Sequence, residues 1–327
     1  MGSVKQAIGN WGTGERIVAG ASALLIAGGS VMTANNLYGS DETAVGRTET
    51  RVGNAFNDIP WLGDTPATTE AAAYPTLPPP TTYAAPVVDQ IAAGSAGVPC
   101  APGEKVVSVD TDQPWVNVSI DDGPSAATTL ENSRIARERG QTITFFFVAN
   151  RLQTPEGLAV AQQVLADGHE IGVHSLRHIL NDADANAADH DAANQVFQDT
   201  LGFVPYAYRA PGLAYSDALN QEVAEAGQCH IHVSPGADTN DWKFDFDAPE
   251  VALAGIQENV NGLDLEPGKI ILMHDEYTDG VENGGRHRPR TTSNAELTYL
   301  LDALAAQGLQ SVSTSDLLLS GVHINEV

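Results

Sequence analysis

Seven short apolar runs follow one another after Cys100, and their spacing leaves few folds open to this chain. Most of the runs are separated by stretches with helical periodicity, so strands alternate with helices along the sequence. Strands connected through helices pair in parallel, which indicates an α/β fold, either a (β/α) barrel or a doubly wound sheet. The predicted strands cover residues 115–120, 142–149, 170–174, 207–210, 229–233, 269–274 and 309–313.

The predicted helices carry residues that commonly begin and end helices. Thr154 followed by Pro155 predicts a helix start, with threonine as the N-cap and proline in the first turn. Ser293 and Glu296 have the spacing of a capping box and predict a second start. Glycines that favour helix termination precede four of the predicted strands, at Gly140, Gly168, Gly227 and Gly308.

Side chains that can bind or serve a metal ion stand at the ends of three predicted strands. They are Asp121 and Asp122, His174 and His178, and His274. Each has an ordinary explanation when taken alone, because Asp-Asp-Gly-Pro is most often a turn and His274 follows an apolar run typical of a protein core. The carboxyl ends of parallel strands meet at one edge of a sheet or barrel, however, so together these residues predict a single site.

The residue types in this group suit a metal-dependent hydrolase. His174 and His178 are four residues apart, so one helical turn would present both imidazoles to the same ion. Two imidazoles and one carboxylate form a three-ligand site with an open position, typical of Zn²⁺, with Co²⁺, Ni²⁺ or Mn²⁺ as alternatives. Hydrolysis also requires a base for the water and an acid for the leaving group. One of the adjacent carboxylates Asp121 and Asp122 can bind the metal while the other faces the substrate.

The chain is strongly acidic. Its 16 Lys and Arg residues against 42 Asp and Glu residues give a formal net charge of -26 and a pI near 4.4. This charge repels phosphate backbones, so we expect no nucleic-acid partner. Acidity of this size equally fits a saline habitat or simple solubility, and it does not identify a substrate.

The N-terminal segment has the composition of a targeting element. Lys5 and Arg16 precede an apolar run over residues 17–32. The run is longer than the usual signal-peptide core of about 7–15 residues and shorter than the roughly 20 residues that span a bilayer. We interpret residues 1–36 as a signal peptide or membrane anchor, with a buried helix as the alternative. Either targeting function places the remaining chain outside the cytoplasm, secreted or anchored at the cell surface, with membrane contact only through this segment.

Residues 37–99 are predicted to be a spacer, and residues 100–327 the catalytic domain. From residue 64 to 99 the sequence is rich in Ala, Thr and Pro, with too little apolar surface to offset the entropy of ordering. Cys100 at the end of the spacer and Cys229 are the two cysteines. They fit either one disulfide in an oxidising compartment or two free buried thiols.

Five ordered motifs between about residues 106 and 320 resemble those of the polysaccharide deacetylases, the NodB-homology group of carbohydrate esterase family 4. They are Ser119-Ile120-Asp121-Asp122-Gly123-Pro124, His174-Ser175-Leu176-Arg177-His178, Arg209-Ala210-Pro211, Asp238-Thr239-Asn240-Asp241-Trp242 and Leu272-Met273-His274. The resemblance implies an irregular (β/α) barrel with about seven parallel strands.

The same resemblance implies a role for each motif residue. Asp121 is the general base and Arg209 orients it, while His274 is the general acid and Asp241 tunes it. The implied metal ligands are Asp122, His174 and His178. The implied substrate-binding residues are Trp242, Leu272, Pro211 and Gly212.

One position departs from the family pattern. Relatives commonly place an aromatic residue after the proline of the third motif, whereas Gly212 and Leu213 follow Pro211 in this chain. The backbone N–H that helps to hold the oxyanion is retained, but the aromatic wall of the sugar groove is not.

The resemblance implies removal of N-acetyl groups from amino-sugar residues of a cell-wall or surface polysaccharide such as peptidoglycan or chitin. An O-acetyl esterase acting on a xylan-type glycan and a catalytically inactive carbohydrate-binding protein are the alternatives. The complete set of base, ligands and acid favours an enzyme, because a binding protein requires none of these groups together.

Overall fold

The computed structural model describes residues 97–244, 247–278, 287–290 and 292–325, residue 92, and the backbone of 25–27 and 30–32. The chain divides into two units, Met1–Ala73 and Tyr74–Val327. In the first unit, β1 (Leu25–Ala27) pairs with β2 (Ser30–Met32) in antiparallel orientation. The rest of the predicted signal or anchor and nearly all of the predicted spacer lie outside the described residues. Among the helices that the structure describes, none combines the length and apolar character required to cross a bilayer.

The second unit is built around a parallel sheet. In sheet order its strands are β10 (Ile270–His274), β5 (Trp115–Asp121), β6 (Thr144–Phe147), β7 (Glu170–Val173), β8 (Ala207–Tyr208), β9 (Cys229–Ile231) and β3 (Lys105–Val106). A further parallel strand, β13 (Gln310–Ser311), pairs with the first residues of β5. The seven predicted strands are therefore all present. The sequence did not predict β3.

Two antiparallel pairs accompany the parallel sheet. They are β4 (Ser108–Asp110) with β14 (Val322–Ile324), and β11 (Glu276–Thr278) with β12 (His287–Pro289). Seven α-helices are described: α1 (Thr129–Glu138), α2 (Pro155–Ala166), α3 (Ala183–Leu201), α4 (Asp217–Glu225), α5 (Pro249–Asn261), α6 (Ser293–Ala306) and α7 (Thr314–Leu319). Three 3-10 turns lie at Ala149–Gln153, Pro211–Leu213 and Asp241–Phe244.

Both predicted helix starts are confirmed, but the capping box predicted at the second is not formed. The Thr154 side chain accepts a hydrogen bond of 3.0 Å from the Gly157 N–H at the start of α2. At the start of α6 the N-cap is Thr292, which makes no side-chain capping bond. The carboxyl group of Glu296 is buried within the domain and does not turn back toward the helix end. The four predicted glycine stops are confirmed by their left-handed φ angles of 65°, 87°, 73° and 75°.

The pleat of β5 directs apolar and polar side chains to opposite faces of the sheet. Val116, Val118 and Ile120 pack in the core formed with the helices. Because successive strand residues alternate in direction, Ser119 and Asp121 point to the inner face. This alternation delivers a carboxylate to the inside of the sheet at the point where the strand ends.

Backbone hydrogen bonds join the two ends of the sheet. The segment after β9 runs beside β10, with the Ser234 N–H donating to Ile270 O at 3.0 Å, the Leu272 N–H to Ala237 O at 3.0 Å and the Thr239 N–H to Leu272 O at 3.1 Å. The sheet is thereby curled into an irregular barrel, as the family resemblance implies. The same bonds carry residues 239–241 to the carboxyl end of β10.

A disulfide joins Cys100 to Cys229, with their Cα atoms 6.3 Å apart and 129 positions between them in sequence. That Cα distance lies within the usual range for disulfides. Of the two alternatives that the sequence left open, the structure therefore contains the bridge. It attaches the segment before β3 to the first residue of β9.

Candidate functional site

The register of the parallel strands brings the predicted site residues to one rim of the barrel. Asp121 and His274 are direct partners across β5 and β10. His174 follows β7 and donates its backbone N–H to Phe147 O at 2.9 Å, and Arg209 follows β8 and donates to Val173 O at 2.9 Å. The backbone pairing of the strands therefore brings these strand ends together at one rim, as the sequence predicts.

Asp122, His174 and His178 form a buried cluster in which one potential ligand atom from each residue lies within 4.8 Å of the others. Oδ1 of Asp122 is 2.8 Å from Nε2 of His178 and 3.5 Å from Nε2 of His174. Burial raises the pKa of Asp122, but the charges and hydrogen bonds of His178 and His174 outweigh it and hold that pKa well below its usual range. The carboxyl group is therefore in the ionised form that binds cations.

The two histidines converge without forming a helical turn, so that part of the prediction is wrong. Ser175 and His178 have left-handed φ angles of 62° and 57°, and residues 174–178 form an irregular loop. The backbone N–H of His178 donates to the Ser175 hydroxyl at 3.0 Å, which fixes the loop. Left-handed residues reverse the chain over a short distance, and here they replace the helical turn that the spacing suggested.

Hydrogen bonding fixes the orientation of the His174 ring. Its Nδ1 lies 2.8 Å from the carbonyl oxygen of Arg209, and a carbonyl can only accept, so Nδ1 carries the proton. Nε2 is therefore the ring nitrogen that faces Asp122. This arrangement is common for metal-binding histidines, whose second nitrogen donates to a backbone carbonyl.

Arg209 is completely buried and holds Asp121. Nη1 donates to Oδ1 of Asp121 and to the Ser119 hydroxyl, both at 2.8 Å, and Nε donates to Ile231 O at 3.0 Å. The guanidinium also lies 4.1 Å above the Phe146 ring on the inside of the barrel. The other carboxylate oxygen of Asp121 faces the ligand cluster, 3.7 Å from Nε2 of His174.

Asp241 and His274 form a hydrogen-bonded pair at the carboxyl end of β10. Oδ1 of Asp241 accepts from Nδ1 of His274 at 2.7 Å, and Oδ2 accepts from the His274 backbone N–H at 2.8 Å. Burial lowers the pKa of His274, but the Asp241 carboxylate outweighs burial and raises it to about 10. The side chain keeps 16% of its surface exposed, so this proton-bearing imidazole is reachable from solvent.

The four predicted substrate-binding residues lie in contrasting environments. Trp242 is half exposed, whereas Leu272 is buried on β10 two residues before His274, and so on the same face of the strand. Pro211 is buried and Gly212 is exposed in the 3-10 turn after β8.

The glycine at position 212 has a steric explanation. Its φ angle is 63°, and a Cβ atom there would stand 2.5 Å from Oδ1 of Asn181. The backbone angle and the neighbouring amide both exclude the aromatic residue that relatives commonly carry at this position.

Several buried charged residues beside the site were not predicted. Nη1 of Arg290 lies 3.7 Å from Oδ2 of Asp241. Asp275 accepts a hydrogen bond from the Thr129 hydroxyl, and burial raises the pKa of its carboxyl to about 8. Asp275 could have been predicted as a site residue, because it directly follows His274 at the end of β10. Arg290 follows no strand of the sheet, so no comparable pattern marked it.

A second group with potential ligands, His190, Asp191 and Glu222, lies between α3 and α4. The Asn194 amide nitrogen is 3.4 Å from Nδ1 of His190, and its own orientation is set by reciprocal hydrogen bonds with Gln228. Nδ1 therefore accepts a hydrogen bond, which leaves the ring proton on Nε2. In this tautomer the Nδ1 lone pair accepts a hydrogen bond and Nε2 carries a proton. His190 therefore offers no ring lone pair to a metal and is a less suitable ligand than His174.

Comparison with known proteins agrees with the geometry. Residues 108–230 match the family model described as polysaccharide deacetylase. A peptidoglycan-N-acetylglucosamine deacetylase of Bacillus cereus is 29% identical over 217 residues, which cover 64% of this chain and 91% of that protein. A chitooligosaccharide deacetylase of a Bradyrhizobium species is 27% identical over 206 residues, 60% of this chain and 86% of that protein.

A solved structure shares the fold. The chitin deacetylase of the fungal pathogen Colletotrichum lindemuthianum aligns with a TM-score of 0.56 and 20% sequence identity. The alignment covers 70% of this chain and 98% of that one. At this identity the likeness concerns the fold, the irregular barrel described above.

Proposed function

Because the chain carries a domain of the polysaccharide deacetylase family of hydrolases, we propose that it removes N-acetyl groups from amino-sugar residues of a cell-wall or surface polysaccharide. The observation that carries the proposal is the placement of two proton-transfer groups, Asp121 and His274, beside the cluster of Asp122, His174 and His178. The products would be acetate and a free amine on the sugar.

The cluster suits one divalent cation, with zinc as our proposal and cobalt, nickel or manganese as alternatives. Asp122 is ionised, and Nε2 of His174 is the ring nitrogen that faces it, because Nδ1 donates to a backbone carbonyl. Oδ1 of Asp122 is buried 2.8 Å from Nε2 of His178 and 3.5 Å from Nε2 of His174, so a single cation could bond to all three atoms. A cation held there would lower the pKa of a water molecule and polarise the acetyl carbonyl.

Asp121 would take the proton of the attacking water. Arg209 occupies Oδ1 of Asp121, so the free Oδ2 is the oxygen turned toward the cluster. As the water oxygen bonds to the acetyl carbon, negative charge develops on the carbonyl oxygen. We assign the backbone N–H of Gly212 as a donor to that oxygen.

His274 would protonate the sugar nitrogen as the carbon–nitrogen bond breaks. Its Nδ1 is committed to Asp241, so Nε2 carries the proton to be transferred. Amines leave poorly unless they are protonated, and an imidazolium with a pKa raised to about 10 is present at neutral pH. This requirement favours an amide over an ester substrate, as do the names of the relatives.

Trp242, Leu272 and Pro211 are proposed to line the acetyl and sugar subsites beside Gly212. Trp242 keeps half of its surface exposed, which makes its ring available to a sugar face. Leu272 lies on the same face of β10 as His274 and can wall the acetyl methyl.

We also propose that catalysis takes place outside the cytoplasm. The Bacillus cereus relative is named for peptidoglycan, a wall polymer, and the apolar run over residues 17–32 suits a signal peptide or anchor. A spacer over residues 37–99 would then separate the catalytic domain from the membrane.

Acetate release tests the proposal directly. The full chain is assayed on chitin oligomers, peptidoglycan and acetylxylan, before and after chelation and again after addition of zinc. We expect release from the amino-sugar polymers that chelation abolishes and zinc restores. Release from acetylxylan alone would indicate an esterase, and release unaffected by chelation would contradict the metal. No release from any of the three by metal-loaded protein would indicate a binding protein.

A further inference from the structure

Glu296 carries a fully buried carboxyl group in the first turn of α6. Neither of its carboxyl oxygens makes a hydrogen bond of good geometry with the residues that the structure describes. The next residue, Leu297, and Leu300 one turn later fill core positions of the same helix with apolar side chains. Burial of a carboxyl group destabilises the fold in a way that burial of leucine at the same position would not. A costly polar residue in a well-packed core often marks a functional site.

The surroundings of Glu296 belong to the general-acid side of the site. The groups that act on its carboxyl are Asp241, Thr239, Arg290 and His274. Thr239 is itself completely buried, and its hydroxyl oxygen also lacks a hydrogen bond of good geometry. The Thr239 backbone is held by Leu272, with an N–H to O distance of 3.1 Å. Glu296 and Thr239 are thus two buried polar residues beside the Asp241–His274 pair.

The charge state of Glu296 fits this position. Burial raises the pKa of Glu296 well above its usual range, and the negative charge of Asp241 raises it further. A neutral Glu296 leaves the positive charge of Arg290 directed at Asp241, whose Oδ2 is 3.7 Å from Nη1. An ionised Glu296 would instead compete for Arg290 and place a second anion beside Asp241.

We propose that Glu296 is a positioning residue for the general acid, acting through Thr239 and Asp241 on His274. This inference rests on the deacetylation proposed above, because it assigns a helper to the acid of that reaction. By filling the space beside residues 239–241, the carboxyl group excludes water from Asp241 and holds its carboxylate in line with Nδ1 of His274. Preorganised supporting contacts of this kind are worth about 10–100-fold in activity at comparable sites.

A purely structural role would give different results. If Glu296 only filled space, its removal would weaken the fold and affect every substrate equally. If it acts through His274, its removal should affect mainly substrates whose leaving group requires a proton. An amide requires that proton, whereas an ester with a good leaving group does not.

The experiment compares Glu296→Ala, Glu296→Gln and the control Leu300→Ala in the zinc-loaded full chain. Each is assayed for kcat and KM on an acetylated chitin oligomer and on an activated acetyl ester. We expect Glu296→Ala to lower kcat for the amide about tenfold with a much smaller effect on the ester. Glu296→Gln, which keeps shape and hydrogen-bonding capacity, should recover part of that loss. Leu300→Ala should affect both substrates alike.

A second measurement does not depend on turnover. The His274 Nδ1 proton, hydrogen-bonded to Asp241, should give a downfield proton NMR signal, assigned by its absence in His274→Gln. We expect the signal to persist in Leu300→Ala and to weaken or shift in Glu296→Ala. If Glu296→Ala does not fold, Thr239→Val removes the contacted hydroxyl at equal volume and should give the same amide-selective loss and signal change.

The possible failures are distinguishable. Equal losses on amide and ester together with an unchanged proton signal would overturn the role of Glu296. A wild-type protein without activity on any acetylated glycan would overturn the proposed function, and the proton signal would still decide whether Glu296 orders the Asp241–His274 pair.

Discussion

Replacement of Asp241 by asparagine should make the general acid His274 lose its proton above neutral pH, whereas in the wild type it stays protonated. Asp241 raises the pKa of His274 from its usual value near 6.5 to about 10, against the opposing effect of burial. At about 1.4 kcal/mol per tenfold change, this difference favours the protonated imidazole by about 5 kcal/mol. In the variant, burial and the positive charge of Arg290 still lower the pKa of His274 while Asp122 still raises it, so this pKa should return to near its usual value of 6.5.

The loss of activity follows from the protonated fraction of His274. At about pH 8, a group with a pKa of about 10 is almost fully protonated, whereas one with a pKa of about 6.5 is protonated in only about 3% of molecules. The amide rate of Asp241→Asn should therefore fall about 30-fold at pH 8, and the protonation effect should shrink to less than about twofold at pH 6. An activated ester should lose much less at either pH.

The assay is the pH profile of kcat for both substrates, with Asp238→Asn as the matched control. Asp238 lies in the same loop and accepts a hydrogen bond from the Asn240 N–H at 2.8 Å, so its replacement removes a carboxylate without breaking the His274 contact. The control should keep its alkaline limb near that of the wild type. If Asp241→Asn keeps its alkaline limb too, or loses amide and ester activity equally, the assignment of His274 as the acid is refuted.

The free energy of unfolding should also depend on pH through the raised pKa of His274. A group whose pKa is raised in the folded state stabilises the fold fully below its unfolded pKa, and the contribution disappears as pH rises through the folded pKa. The part of the stability difference between wild type and Asp241→Asn that comes from His274 should therefore be complete below about pH 6.5 and vanish above about pH 10. Chemical unfolding at several pH values measures it.

Three further outcomes are expected. His178→Ala should lose the bound ion, about one per chain in the wild type by elemental mass spectrometry, while the control His323→Ala keeps it; retention of metal and activity by His178→Ala would show that His178 is not a ligand. Asp121→Asn should keep the metal but lose roughly 10²-fold or more in turnover, and wild-type acetate release would contradict its role as the base. Replacing Cys100 and Cys229 together with serine should lower the free energy of unfolding by ~3–5 kcal/mol in urea titrations, and an unchanged midpoint would contradict a stabilising bridge.

The parallel strands could be predicted because each is a short apolar run with a recognisable boundary. The site residues at the strand ends could also be predicted, because Asp121, His174 and Arg209 occupy positions where strands end. Residue spacing gave a wrong prediction where the backbone conformation depends on contacts with distant parts of the chain. The spacing of His174 and His178 suggested a helical turn, but left-handed residues at 175 and 178 bring the two rings together instead.

Glu296 illustrates the limit of local sequence rules most clearly. Its distance from Ser293 predicts a surface capping box, and nothing nearby in sequence contradicts that interpretation. The side chain turns inward because α6 packs its first turn over the segment containing Thr239 and Asp241, which lies more than fifty positions earlier in the chain. Arg290 and Asp241 likewise meet through contacts that no spacing rule covers.

The bridge between Cys100 and Cys229 also determines how the domain would bear mechanical load. Beyond the isolated bridge between Ala92 and Pro205, a pull on the chain from its N-terminal side reaches Cys100 before the two-residue strand β3. The covalent link passes that load directly to β9, which is hydrogen-bonded between β8 and β3 within the sheet. The bridge thereby protects the short end strand β3 from the load. Tension would have to break the pairing of β9 with β8 before a strand could separate from the sheet. With the bridge reduced, the same pull would load β3 first and unzip the domain from its edge.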